Sequence, residues 1–177
     1  MTILIDILLV IAVLLAIIFT GALFVKKDYI VSRSVTINKN KAFVFNYVKI
    51  VKNQDYYNKW WTMDPNAKKE FRGEDGTIGF VAAWDSENKQ AGKGEQEIIN
   101  IKDGERIDFE IRFQRPFQNT ANSYMATETV TPDQTKLSWV FIGKNKYPFN
   151  LMNLFMGNLL GNDLQTSITN LKTVLEK

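Results

Sequence analysis

The side chains that could move a proton in this chain are carboxylates, lysines, tyrosines and arginines, because it contains no histidine and no cysteine. That absence excludes disulfides, thiol nucleophiles, Cys/His zinc sites and every Ser–His or Cys–His relay. Four carboxylates are spaced to share strand faces, Glu95 with Glu97 and Asp108 with Glu110. Such pairs suit general acid–base work when burial raises one pKa. Asp103-Gly104 between two alternating runs predicts a two-residue hairpin turn. That register sets Ile98 opposite Phe109, Gln96 opposite Ile111, Gly94 opposite Phe113, Asn100 opposite Ile107 and Ile101 opposite Arg106. Glu95 then meets Arg112 and Glu97 meets Glu110. All four carboxylates fall on a charged outer face, a solvated cross-strand ladder rather than an acid–base pair.

Glu128, with Tyr124 on the same run, is the remaining catalytic candidate. If the turn at Pro132 sets Leu137 opposite Thr129, Glu128 points out and Thr127 in. If it sets Leu137 opposite Val130, Glu128 enters the interior, where desolvation raises its pKa. The first register is preferred. Gly76-Thr77-Ile78-Gly79 is too sparse for a phosphate loop and opens no helix, so it reads as a turn into a strand.

The apolar candidates are Trp60, Trp61, Phe80, Trp84, Phe109, Phe113, Tyr124 and Trp139. Each is either core, worth roughly 1.5–3 kcal/mol by burial, or the wall of a cavity. Small residues among them (Gly79, Ala82, Gly94) leave room that a filled core would occupy. Gln96 and Asn100 are inset on the apolar face and need partners, from a ligand's polar head, water or Tyr hydroxyls.

These side chains must be positioned by a small set of elements. Period-two runs predict strands over 29–37, 68–72, 78–85, 94–101, 106–114, 121–130 and 136–142. Helices are expected over 42–51, capped by Asn38 or Asn40, and over 53–61. The C-terminal stretch 150–177 is a helix of about 28 residues, roughly 42 Å. Leu164, Ile168, Leu171 and Leu175 form one apolar stripe on it, whereas Leu151, Leu154, Phe155, Met156, Leu159 and Leu160 surround its first half. A helix apolar all round needs cover on every side. Gly157 and Gly161 either permit close approach to the sheet or let that first half bend away as a cover, or as a surface that touches lipid.

The run that opens on Ile7 and closes on Val25 carries no charge and ends at Lys26-Lys27. Its roughly 28 Å matches a bilayer's hydrocarbon thickness. The competing reading, a cleavable signal peptide, has Thr20-Gly21-Ala22 as a small-residue site but lacks a basic start, since only Asp6 precedes the run. A single-pass anchor over 1–27 and a domain over 28–177 is the expectation. The flanking lysines place that domain on the cytoplasmic side. The net charge of +3 is uneven, eleven basic against four acidic side chains from Lys26 to Arg72. These are spread over several elements, so they read as solvated surface beside a membrane and not as a nucleic-acid face.

Several motifs fall in a familiar order: Val35-Thr36-Ile37-Asn38 leading into Ala42-Phe43-Val44-Phe45, Asn58-Lys59-Trp60, Gly76-Thr77-Ile78-Gly79-Phe80 and Trp84, Gly92-Lys93-Gly94-Glu95, and Thr135-Lys136-Leu137-Ser138-Trp139. From Tyr29 onward the chain resembles the SRPBCC superfamily, which includes START lipid-binding domains and polyketide cyclases/dehydrases. The resemblance implies an α+β helix-grip fold, a curved antiparallel sheet wrapped around the C-terminal helix with an apolar ligand cavity between them. Trp60, Phe80, Trp84, Gln96, Phe109, Phe113, Tyr124, Trp139, Phe155 and Met156 are the expected ligand-binding residues. No metal and no cofactor is expected. The leading function is membrane-tethered binding of a lipid or hydrophobic small molecule. A cyclase- or dehydratase-like enzyme using Glu128 with Tyr124, and a chaperone-like domain presenting Met152, Phe155 and Met156, are the alternatives.

Overall fold

A computed structural model describes residues 2–177. Met1, the first residue of the expected anchor, lies outside the described residues. The uncharged run forms most of α1 (Thr2–Phe24), whose span Ile3–Phe24 is long and apolar enough to cross a membrane, with a mean hydropathy of 3.1. After residues 25–27 the chain enters β1 (Asp28–Ile37). Helix α2 (Lys41–Lys49) starts where Asn40 accepts a hydrogen bond from the Phe43 amide at 2.9 Å. The second expected helix is split into a 3-10 turn over Val51–Tyr56 and a short helix, α3 (Lys59–Thr62). The break falls at Asn58, whose side chain caps α3 by accepting from the Trp60 amide at 3.0 Å.

The remaining strands are β2 (Lys68–Arg72), β3 (Val81–Asp85), β4 (Lys93–Lys102), β5 (Arg106–Arg115), β6 (Asn119–Thr131) and β7 (Gln134–Lys144). Strand β3 begins at Val81 and not at 78, because Gly76 and Gly79 at φ +81° and +87° hold the preceding residues in a turn. A 3-10 turn over Phe149–Met152 leads into α4 (Asn153–Leu175). The seven strands form one antiparallel sheet in the order β1-β7-β6-β5-β4-β3-β2, with α4 packed chiefly on β1. This is the expected α+β arrangement of a sheet gripping its C-terminal helix.

The β4–β5 register holds as expected from Gly94/Phe113 to Ile98/Phe109 and then slips. A bulge between Ile98 and Asn100 pairs Asn100 with Asp108 and Ile101 with Ile107, correcting the expected Asn100/Ile107 and Ile101/Arg106 pairs. The turn uses residues 103–105, closed by the Glu105 amide on the Lys102 carbonyl at 2.9 Å. The extra residue swings Asn100 out of the interior, where its amide donates to Asp108 at 2.9 Å.

Leu164, Ile168, Leu171 and Leu175 are all buried against Ile37, Phe45, Tyr57, Ile98, Phe109, Met125 and Leu137. Under this half of α4 these side chains form one continuous buried cluster. The first half behaves differently: Met156 and Leu160 turn inward, while Leu154, Phe155 and Leu159 face away from the sheet. The helix is unbroken over both glycines. Gly161 serves close approach, since a Cβ there would run into the Arg33 guanidinium.

Candidate functional site

Beneath the first half of α4 the sheet and helix enclose a hollow of about 220 Å³. Tyr29 from β1, Trp84 from β3, Phe113 from β5, Trp139 and Phe141 from β7 and Met156 from α4 form much of its wall. Trp60 and Trp61 on α3 close one side, so all 4 tryptophans of the chain border it. The rings meet edge to face, Trp60 on Trp139 at 6.5 Å and Trp84 on Phe113 at 6.2 Å. These pairs hold the rings against one another by their own packing.

Two indole N–H groups are already spent on protein. Trp139 Nε1 donates to Ser123 Oγ at 2.9 Å, and Trp84 Nε1 to the Ala91 carbonyl at 2.9 Å. Polar character enters the wall through a buried amide cluster. Asn58 Nδ2 and Gln96 Nε2 both donate to Gln54 Oε1, at 2.7 and 3.1 Å, and Asn58 and Gln96 border the hollow. Among the described residues Tyr29 is the one ionisable side chain on this wall, and burial pushes its hydroxyl pKa up, away from neutrality. The wall can sort an apolar body with a small polar head; it holds no group poised to exchange a proton near pH 7.

Of the ligand-binding residues expected from the sequence, Trp60, Trp84, Gln96, Phe113, Trp139 and Met156 stand on this wall. Four stand elsewhere. Phe80 and Phe109, each 1% exposed, belong to the packed part of the interior, Phe80 stacked on Phe71 at 6.1 Å. Phe155 is 61% exposed, because its position on α4 is turned away from that of Met156. Tyr124 pairs with Asp108 and Val140 on the outer face of the sheet, with the Arg106 guanidinium 3.6 Å over its ring. The room expected at Gly94 is taken up by the Trp84 indole. Ile111 and Phe141 were findable by period two from Phe113 and Trp139. Asn58 was hidden by its role as a helix cap, and Gln90 and Ala91 sit in a loop with no periodicity to mark them.

Glu128 faces Lys136 across the ladder, exposed, with 3.3 Å between Oε2 and Nζ. Leu137 is opposite Thr127, a third pairing with the same parity as the preferred register, so Glu128 points out and Thr127 is buried. The other carboxylates form the expected outer ladder. Arg112 bridges Glu95 (2.8 Å), Glu97 (2.8 Å) and Glu110 (2.5 Å), and Arg72 reaches Glu95 at 2.6 Å. These hydrogen bonds, that from Arg72 foremost, hold the Glu95 carboxyl below its usual range. Among the described residues no group of three acidic, His or Cys side chains is placed to hold a metal.

A curved sheet closed by a C-terminal helix over an aromatic hollow defines a helix-grip ligand-cavity protein. Residues 29–176 match the family model described as polyketide cyclase / dehydrase and lipid transport, and the chain belongs to that family. No curated protein matches the chain. Among solved structures it is similar to norcoclaurine synthase from Thalictrum flavum in complex with dopamine and hydroxybenzaldehyde (TM-score 0.66, 7% identity, 83% of this chain and 86% of that one). A solution structure from Thermobifida fusca is also similar (TM-score 0.59, 13% identity, 81% and 90%). So is the Aha1 dimer from Colwellia psychrerythraea (TM-score 0.55, 12% identity, 83% and 96%). At these identities the likeness is one of fold.

Proposed function

We propose that the protein binds the apolar part of a lipid or hydrophobic small molecule in this hollow, with residues 28–177 as the binding domain and residues 1–27 as its retained membrane anchor. The observation that carries the reading is the half-empty interior. One half of α4 is sealed on the sheet, and the other roofs an aromatic chamber with one amide cluster in its wall. At about 220 Å³ the chamber exceeds the roughly 150 Å³ engineered hollow that takes up benzene. It falls below the roughly 300–1,000 Å³ of pockets that enclose a drug-sized ligand. It suits a ring or a stretch of acyl chain, the rest of the guest staying outside. The outward Glu128 and the lack of a neutral-range proton donor on the wall favour binding over cyclase-like catalysis.

Retention of the anchor is supported by the care with which the domain caps it. Asn150 Nδ2 donates to the Ala22 and Val25 carbonyls, both at 2.7 Å, and Asn153 Nδ2 to those of Lys26 and Lys27. A helix end leaves carbonyls orphaned, and a leader destined for removal gains nothing from partners in the mature domain. The positive-inside tendency of Lys26 and Lys27 favours a cytoplasmic domain. Native mass spectrometry of the full chain released from its membrane in mild detergent tests the reading. Adduct masses of a lipid or similar apolar guest are expected. A guest-free chain that also takes up nothing from lipid and aromatic panels would overturn it.

A further inference from the structure

Large apolar side chains are exposed together at the end of the domain that α1 enters. Phe149 (67% exposed), Leu154 (65%), Phe155 (61%) and Leu159 (58%) face away from the sheet on the 3-10 turn and α4. Phe117 (78%) tips the β5–β6 loop at that same end, beside β7's last residue, Lys144, whose carbonyl accepts from Asn119. A face this apolar calls for a cover. Two observations say which.

The first is continuity with α1. Besides the Asn150 and Asn153 bonds, Tyr147 donates its hydroxyl to the Phe19 carbonyl at 3.2 Å, and Leu151 packs beside Gly21. These ties hold the 147–153 segment, which leads directly into the turns of α4 that carry Phe155 and Leu159, against the last turns of α1. The second is charge. Lys26, Lys27, Lys144 and Lys146 are exposed around that level; Asp28 is paired to Lys144 at 3.3 Å, and Asp85, toward the Phe117 loop, is paired to Lys93 and Arg115. Basic side chains rimming an apolar patch complement an anionic headgroup layer; a second copy of the chain would bring two lysine rims together.

We propose that this end of the domain is embedded in the interface of the bilayer that α1 spans, with Phe149, Phe155 and Phe117 below the headgroups. The chamber then opens toward acyl chains, because Met156 and Leu160 on its wall lie on the same turns of α4 as the inserted Phe155 and Leu159. A guest moves between bilayer and chamber without crossing water. The inference rests on the reading that α1 stays in the membrane.

The chain has 0 Cys, so a single introduced thiol is unique. Full-length Phe155→Cys and, independently, Phe149→Cys are labelled with an environment-sensitive fluorophore and placed in vesicles of phosphatidylcholine and phosphatidylglycerol. Gln165→Cys, exposed on the far half of α4, is the control. Phospholipid spin-labelled high on its acyl chain is expected to quench the first two about threefold or more and to leave the control unchanged. Equal emission at all three sites overturns the proposal. So does quenching at 155 that rises with protein density and ignores the spin label, which means that a second copy covers the face. Depth is read with no guest added, so a negative result removes the embedding and leaves guest binding as a separate question.

Discussion

Arg33 Nη2 donates to the Gly157 carbonyl at 2.7 Å, carrying a cation from β1 across to α4 where the packed half of the interior gives way to the hollow half. Gly161 lies beneath the same guanidinium, which leaves no space for a Cβ. Beyond this point α4 is bound at several places. The Lys59 amide donates to Ser167, Lys59 pairs with Asp163, and Asn170 donates to the Tyr57 carbonyl. Before it, Arg33 holds the middle of the helix, and Asn153 holds its start, donating to the Lys26 and Lys27 carbonyls and accepting from Asn145 Nδ2 at 2.7 Å.

Replacing Arg33 by Met keeps the apolar stem and deletes the fork. Loss of the bond is expected to cost about 1–2 kcal/mol. Opening of the first half of α4 should become about tenfold more frequent, while the half from Leu164 to Leu175 stays protected. Hydrogen exchange read by mass spectrometry checks this. Equal protection of both halves in parent and variant would show that the roof is held by something other than Arg33.

The packed half of the molecule was legible in the sequence because it obeys periodicity alone. The stripe Leu164-Ile168-Leu171-Leu175 and the alternation of β4 and β5 each have one apolar solution. The site was less legible, for reasons that lie outside any single element. Phe155 and Met156 are neighbours with opposite fates, and only the tilt of α4 over β1 decides which lines the hollow. Tyr124 shares the strand parity of the outward Glu128, so period two along β6 turns it to the outer face, where the Arg106 guanidinium lies over its ring. Asn100 was displaced by a bulge, which no turn motif announces.

The amide cluster should reward an intact Gln96. In Gln96→Leu the volume is nearly conserved, but Gln54 loses the only side chain its Nε2 donates to among the described residues, at 3.5 Å, and one of its two donors. Leaving a buried amide short of partners costs about 1–3 kcal/mol, read as a lower melting temperature. Guests with a polar head should bind less well than in the parent, and pure hydrocarbons equally well. Unchanged selectivity would mean that the amides serve packing only.

Because all 4 tryptophans border the hollow, the chain carries its own reporter. Titration with a guest that enters should change tryptophan emission saturably, and Trp60→Ala should weaken binding by about tenfold or more through loss of an aromatic wall. A guest that binds by mass spectrometry yet leaves emission untouched is bound elsewhere.

Stability should have an acid limb set by the outer ladder. The Glu95 pKa is lowered, first by Arg72 and then by Arg112. Its stabilising contribution is therefore fully present above the unfolded value of 4.5 and is lost as pH falls through the lower folded value. Asp64, Asp85 and Glu105 are shifted the same way. Melting temperature should fall below about pH 4.5, and Glu95→Gln should both lower the neutral plateau and flatten part of that slope. A slope unchanged by the substitution would assign the limb to the other three carboxylates.

Guest binding, in contrast, should be flat across the neutral range. The chain has no histidine or cysteine, and the ionisable group on the wall, Tyr29, is shifted upward by burial. The carboxylate that an acid–base mechanism would recruit, Glu128, is exposed beside Lys136. Between about pH 6 and 8 the affinity should therefore not move, and Glu128→Gln should leave it within about twofold of the parent. Equilibrium titrations by tryptophan emission at several pH values provide the measurement. A bell-shaped profile, or conversion of a bound polyketide-like guest that disappears in Glu128→Gln, would put a proton-transfer group where the geometry has none. Binding alone would then no longer describe the site.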